Sequence, residues 1–476
     1  KVAIIGDFAE TPRYQGAGSS MVTPAKMDQT LDFIGKSDLK IIGYAQGFER
    51  NGHKNETIKV AALKLAEKAD VILLYLGLDE SSESEGVDRR HMQINQNQID
   101  LLAELKQINS SIIVILSAGA AVEMTWADNA KALLFASLAG QAGAGAIINV
   151  ITGKVCPSGK LSETYPCKHQ DTPAYKYFPG TERTAEYREA IYVGYRYYQK
   201  RDIAVRFPFG FGLSYTEFDY SNLICYPDRV TFEIENTGSV SGAEIAQLYI
   251  GLPNSEIFRP IRELKGFSKI YLKPAEKKTV EIDFDEIAFR FFNIKTQKFE
   301  TEAGDYRIMV GSSSEDIRLY GEIKIGGTRA SNIYDPEKLR SYFTGDIQSV
   351  SDDEFEVLLG RGIPESKWNS RNKLTREDTI SQLYYAKGLI ARLVFKVLDT
   401  IKKRSDKKGE PDLNIQYIYN MPFRAIAKMT GGQVDMKMVD NILEMVNGRF
   451  FLGLVKLVPS WLRSEEHTSE LQSRHN

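Results

Sequence analysis

Over the first 165 residues, short apolar runs alternate with stretches of helical period, and this alternation restricts the fold more than any other feature of the chain. The runs are Val2 to Ile5, Lys40 to Ala45, Val71 to Leu76, Ile112 to Leu116 and Leu133 to Leu138. Between them lie helix candidates at Glu56 to Ala69 and Gln96 to Ile108, the second with Ile99, Leu102, Leu105 and Ile108 at helical spacing. Strands this poor in polar residues are buried on both faces. The order therefore predicts an α/β fold, a mainly parallel sheet covered on both sides by helices. In such sheets ligands sit beyond the carboxyl ends of the strands, which directs attention to the loops after Gly6, Leu78 and Ser117.

A cluster of Gly and aromatic residues, Phe207-Pro208-Phe209-Gly210-Phe211-Gly212-Leu213-Ser214-Tyr215, marks a change of pattern. From Arg229 to Ile325 the alternation has period two, as in Val230-Thr231-Phe232-Glu233-Ile234, with turn residues at Asn236-Thr237-Gly238, Leu272-Lys273-Pro274 and Ala303-Gly304-Asp305. This predicts a β-sandwich of immunoglobulin scale. After Gly326-Gly327 the pattern turns helical, with Ile380, Leu383, Ile390, Val394, Val397 and Ile401 leading to Lys402-Lys403-Arg404. Basic residues at a helix C-terminus complement its dipole. A shorter helix ending at Gly431-Gly432 and another from Val434 to Asn447 follow, and these helices are expected to strap one apolar face onto the rest of the protein. The last residues, from Arg463 to Asn476, read as translated sequencing adapter and are expected to be disordered.

Charge narrows the partners. Lys and Arg number 61 against 63 Asp and Glu, a net charge of -2, which provides no basic footprint for nucleic acid and no pull toward an anionic membrane. Cys156, Cys167 and Cys225, with five His in the chain, form no disulfide framework and no zinc-type spacing, so neither metal nor other cofactor is expected. Cysteines without a pairing pattern fit a cytoplasmic location. The opening Lys1-Val2-Ala3-Ile4-Ile5-Gly6 reads as a strand with no initiator Met, so the chain is expected to begin within a longer protein whose targeting signal, if any, lies upstream.

The third run ends in Asp79-Glu80-Ser81-Ser82-Glu83-Ser84-Glu85-Gly86-Val87-Asp88-Arg89-Arg90-His91. Crowded carboxylates raise the pKa of at least one member, which suits a general acid, while Arg89 and Arg90 oppose that shift. A solvated acidic loop with local Glu/Arg pairs explains the same residues, and chemistry alone leaves both readings open. The spacing lacks the pattern of a calcium-binding hand.

Five motifs occur in order: Tyr14-Gln15-Gly16-Ala17-Gly18-Ser19-Ser20, Glu83 to Arg89, Pro157-Ser158-Gly159-Lys160-Leu161, Tyr187 to Tyr197, and Phe207 to Tyr215. Together they resemble the later domains of glycoside hydrolase family 3, the β-glucosidase type, over residues 1 to about 325. The helical tail is similar to extensions on some bacterial members. The resemblance implies an α/β sandwich domain over 1–213, a fibronectin-III-like domain over 214–327 and a helical extension over 328–462, ahead of the adapter-like 463–476. It implies a retaining exo-β-glycosidase acting on a small β-glucoside or oligosaccharide. Glu85 is the implied acid/base with Glu83 as fallback, Ser19 a contact to the sugar, and Asp88 and Arg89 supporting residues. The Asp nucleophile belongs to an N-terminal barrel of about 250 residues that no segment here matches, so the chain alone is expected to be inactive. β-Xylosidase or arabinosidase activity, or a non-catalytic carbohydrate-binding or assembly module, are the alternatives, and homo-oligomerisation stays open. Arg188, Glu189, Tyr192 and Arg196 are expected at a domain junction, Trp126 either in the site wall or in the core, Cys156 as a small buried residue, and His91 as an orienter of the acidic loop.

Overall fold

Runs of Val, Ile and Leu too apolar to face water on either side form the centre of the first domain. A computed structural model describes residues 1–35, 37–330, 333–369, 371–407, 412–431 and 433–457. The Arg463 to Asn476 segment lies outside them. Strands β1 (Val2–Ile5), β2 (Ile41–Ala45), β3 (Val71–Gly77), β4 (Ile112–Ser117) and β5 (Ala132–Phe135) make one parallel sheet in the order β2-β1-β3-β4-β5. Helices α1 (Thr30–Ile34), α2 (Glu56–Ala66), α3 (Gln96–Ile108) and α4 (Gly143–Ile151) connect and cover it. Ile4, Ile5, Leu74, Leu76, Val114 and Leu116 are fully buried in its core.

The chain leaves β1 toward β2 on one side, then crosses to β3 on the other. This reversal opens a crevice between the carboxyl ends of β1 and β3, the place where doubly wound sheets hold ligands. Helix α3 differs from expectation in one respect: its inward face is centred on Gln98, Leu101, Leu102 and Leu105, while Ile108 is exposed. The buried polar residue on that face has a backbone task. Gln98 Nε2 donates to the Gly77 carbonyl and its Oε1 accepts the Gly77 N–H, each at 2.9 Å, sealing the end of β3 where no neighbouring strand does so.

A small antiparallel pair of strands, β6 (Tyr165–Pro166) and β7 (Val205–Phe207), with α5 (Tyr195–Arg201) between them in the chain, completes the first domain. The Phe207 to Tyr215 cluster fixes the passage to the next one: Phe209 stacks on Tyr195, and Gln247 Nε2 donates to the Gly210 carbonyl. A β-sandwich follows. One sheet has the order β11 (Glu263–Leu272), β10 (Gly242–Gly251), β15 (Gly304–Gly311), β16 (Ile317–Ile325); the other is β12 (Lys277–Asp283), β9 (Arg229–Asn236), β8 (Phe218–Cys225), with a hairpin of β13 (Arg290–Asn293) and β14 (Lys298–Thr301) alongside. The first strand of the sandwich is Phe218–Cys225, inside the 214–327 domain and ahead of Arg229, where the period-two alternation becomes regular. In β8 the inner face is marked only by Phe218 and Tyr220 before a register shift breaks the alternation.

The helical part contains α6 (Arg340–Thr344), α7 (Asp352–Leu359), α8 (Leu389–Lys407), α9 (Leu413–Asn420), α10 (Ala425–Met429), α11 (Met436–Val446) and a helical segment at 450–457. The apolar series from Ile380 to Ile401 is broken: a 3-10 turn spans Ile380–Tyr385, and α8 starts only after Gly388. Helix α8 turns Ala391, Phe395 and Leu398 inward onto Leu383, Phe423, Val439 and Leu443. Ile390, Leu393, Val394, Val397 and Ile401 are exposed, so the expected strap faces inward along a seam one position removed from the one the pattern suggested. Among the described residues, no helix is long and apolar enough to cross a membrane.

Candidate active site

Two loops meet at the crevice, residues 6–29 after β1 and residues 78–95 after β3. They join as a short parallel bridge: Ala17 pairs with Ser84, and the Glu85 N–H donates to the Ala17 carbonyl at 2.9 Å. Gly18 makes the approach feasible. Its φ is +135°, and a Cβ there would stand 2.4 Å from the Glu85 Cβ and 2.6 Å from Oε2, so only glycine fits. The following residue, Ser19, then donates its backbone N–H to Glu85 Oε2 at 2.5 Å.

The two candidate glutamates have opposite surroundings. Glu83 is tied down: buried Arg13 gives NH1 to its Oε2 at 2.7 Å and NH2 to its carbonyl at 2.9 Å, and the Gly119 N–H reaches the same carboxylate oxygen at 2.9 Å. Arg13 also donates to the Leu78 carbonyl at 3.1 Å, clamping the loop to the end of β3. Glu85 is exposed, and among the described residues no Lys or Arg pairs with it. The Ser19 hydroxyl and backbone N–H hold its carboxyl below the ordinary carboxylate range.

The crowding expected to raise a carboxyl in this loop is relieved by dispersal. Burial pushes Asp79 up, but hydrogen bonds from Ser81, Ser82 and Asn95 outweigh it and hold the group down. Glu80 turns to Arg50, which also binds Asp7. The pairs are therefore long-range: the cations are Arg13 and Arg50, and the neighbouring Arg89 and Arg90 are not the partners. Arg89 donates to the Ala121 carbonyl at 3.1 Å, and burial lowers its pKa against the opposing fields of Glu83 and Glu163. Asp88 is exposed, as is His91, and no hydrogen bond from His91 to the acidic loop is found among the described residues. Trp126 fills the core. Cys156 is half-buried, with Sγ 3.1 Å from the Ser214 hydroxyl.

Reading the sequence missed Arg13, which stands directly before the Tyr14 to Ser20 motif and shows its purpose only once Glu83 is seen beside it. It also missed Asn420 of α9, whose Nδ2 donates to the Gly86 carbonyl at 2.7 Å. Hollows of about 380 Å³ beside Tyr44, Ile58 and Lys64, and about 600 Å³ beside Leu264, Asp283 and Ile287, lie away from Glu85. No group of three or more His, Cys, Asp or Glu able to hold a metal occurs among the described residues.

Residues 1–215 match the glycosyl hydrolase family 3 C-terminal domain, and residues 244–314 match a fibronectin type III-like domain. The first 215 residues are a glycosyl hydrolase family 3 C-terminal domain. Among family 3 relatives, the thermostable beta-glucosidase B of Acetivibrio thermocellus is 35% identical over 458 residues, covering 94% of this chain and 56% of that protein. An exo-alpha-(1->6)-L-arabinopyranosidase of Bifidobacterium breve is 41% identical over 324 residues, 67% of this chain and 43% of that protein. The crystal structure of a Bifidobacterium adolescentis GH3 beta-glucosidase superposes with a TM-score of 0.66 at 38% identity, covering 74% of this chain and 53% of that one. The chain spans about half the length of these relatives. The match to the Acetivibrio protein runs over nearly the whole chain, so it takes in the helical part as well as the two domains that define the family portion.

The Tyr187 to Tyr197 motif of this family 3 domain lies at the junction with the helical part, as expected. Arg188 is buried against Glu186, Asp352 and the Val350 carbonyl, and the Tyr192 hydroxyl donates to the Tyr342 carbonyl at 2.7 Å. Arg196 reaches Glu263 of the sandwich at 3.6 Å.

Proposed function

We propose that this chain supplies the acid/base carboxyl, Glu85, of a retaining exo-β-glycosidase that releases terminal non-reducing β-D-glucosyl residues. One observation carries the choice of residue: Glu83 is committed to Arg13 and Gly119, whereas Glu85, at the crevice between β1 and β3, pairs with no cation among the described residues. Those contacts occupy the Glu83 carboxylate in holding the loop, whereas the Glu85 carboxylate, held by Ser19, is exposed where a substrate could reach it.

Retention requires two carboxyls about 5 to 5.5 Å apart, one to attack the anomeric carbon and one to protonate the leaving oxygen and then activate water. The second carboxyl is supplied, in this reading, by a barrel outside these 476 residues. Its surface would also cover Glu85. Removal from water and a nearby carboxylate both raise the pKa of an acid, which is the change Glu85 needs in order to hold a proton near neutrality. Ser19, on this account, releases part of its hold on the carboxylate and turns its hydroxyl to the sugar, with Asp88 and Arg89 shaping the rim. The similarity to the Bifidobacterium breve arabinopyranosidase favours a pentopyranoside as the second substrate class.

The test joins this chain to its barrel and replaces Glu85 by Gln. For aryl β-glucosides with poor leaving groups kcat/KM should fall by about a hundredfold or more, the usual scale of general acid catalysis, with far less loss for a dinitrophenyl glucoside that needs no proton. Equal turnover of both by the variant and the parent excludes Glu85. The 476-residue chain by itself should not hydrolyse an aryl β-glucoside. Calorimetry of that chain with cellobiose distinguishes half a site, which binds weakly, from a dedicated binding module.

A further inference from the structure

We propose that Asn420, in the helical extension, is a positioning residue for the acid/base loop; the inference rests on the reading of Glu85 given above. Asn420 ends α9, and its Nδ2 donates to the Gly86 carbonyl at 2.7 Å across 334 positions of sequence. Gly86 is the residue after Glu85 and holds φ at +78°, the turn that presents Glu85 outward. On the sheet side the loop is tied by the Glu85 N–H to Ala17. On the outer side the Gly86 carbonyl is tied to Asn420, and the local bond from the Val87 N–H to the Ser84 carbonyl is long at 3.3 Å. Glu85 therefore stands between a clamp from the sheet and a clamp from the helices.

The helical clamp has its own anchorage, independent of Gly86. Ile380 N–H donates to the Met421 carbonyl and Phe423 N–H to the Asp378 carbonyl, fixing α9 to the segment around the 3-10 turn. That segment is latched to the first domain at Glu182, whose carboxylate accepts the Trp368 N–H at 2.7 Å and the Tyr385 hydroxyl at 2.6 Å, while Gln382 Nε2 donates to the Glu182 carbonyl. The extension is thus held in place at one point and acts on the acid/base loop at another. The contact needs a donor at position 420: Asn supplies an N–H, and an isosteric Asp, ionised at neutral pH, supplies only acceptors.

The experiment uses the full-length enzyme with Asn420→Asp, Glu182→Gln and Glu85→Gln, compared by kcat/KM on phenyl and 2,4-dinitrophenyl β-glucosides and by melting temperature. Misplacing a proton donor should cost about tenfold on the phenyl glucoside and leave the dinitrophenyl glucoside nearly unchanged. Glu182→Gln, which loosens the latch without touching the loop, should show the same selective loss in smaller degree and decides the matter if Asn420→Asp folds poorly. Equal losses on both substrates, or none on either, overturn the positioning role. Selective loss in Glu85→Gln without it in the other two overturns the role of Asn420 alone; no selective loss in Glu85→Gln overturns both readings.

Discussion

Ser19 donates its backbone N–H to Glu85 Oε2 at 2.5 Å, and the only backbone that allows it is a glycine at position 18. Because Gly18 has φ +135° and its pro-Cβ direction runs into Glu85, Gly18→Ala must move the loop after β1 or the loop after β3. The variant should unfold at lower urea concentration, by about 1 to 3 kcal/mol, the cost of a side chain in that backbone region. An unchanged urea midpoint would contradict the tight apposition of the two loops.

Arg13 holds Glu83, the Leu78 carbonyl and the Glu83 carbonyl at once. Removing the cation leaves a partly buried carboxylate without its partner, so Arg13→Met should destabilise the chain by about 3 kcal/mol. Adding Glu83→Gln should recover part of that loss, because the uncompensated charge disappears. Urea unfolding of the two single variants and the double variant measures the coupling.

Gln98 bonds both polar backbone groups of Gly77, the only side chain among the described residues to do so, and it is fully buried. Gln98→Leu strands a buried N–H and a buried carbonyl together and should cost about 2 to 4 kcal/mol, more than its gain in apolar area. Urea unfolding checks the value, and loss of amide protection at Gly77 locates it.

The latch at Glu182 gives the docking of the helical part a pH dependence. The Tyr385 hydroxyl and the Trp368 N–H hold the Glu182 carboxyl below its ordinary value, and the same bond pushes the Tyr385 phenol up to about 12. A carboxyl depressed in the folded state contributes stability that is present above its unfolded pKa of about 4.3 and is lost as pH falls through the folded value. Hydrogen exchange at the Trp368 N–H should therefore quicken, relative to the intrinsic rate, as pH falls below about 4. Glu182→Gln should remove that dependence; a wild-type profile in the variant would contradict the latch.

Much of this architecture was legible in residue order. Five apolar runs separated by helical periods contain the sheet, because strands buried on both faces leave an uninterrupted apolar signature. The acidic loop was legible as a place, since it follows the carboxyl end of one of those runs, where such sheets hold ligands. What could not be read was which carboxylate is free: that depends on Arg13, 70 positions before Glu83, and no local pattern ties the two. Asn420 was invisible for the same reason at 334 positions from Gly86. The seam of α8 was misplaced because both the exposed and the buried faces of that helix are apolar, so periodicity alone has no preferred side.

The central claim is that Glu85 is the acid/base of a retaining reaction, and azide tests it most directly. With Glu85→Ala in the full-length protein and an activated aryl β-glucoside, the glycosyl-enzyme should form but wait for a nucleophile that needs no general base. Added azide should restore turnover and yield β-glucosyl azide, the anomer that follows from two inversions. Wild-type hydrolysis by the variant without azide, or an α-glucosyl azide product, would contradict the assignment.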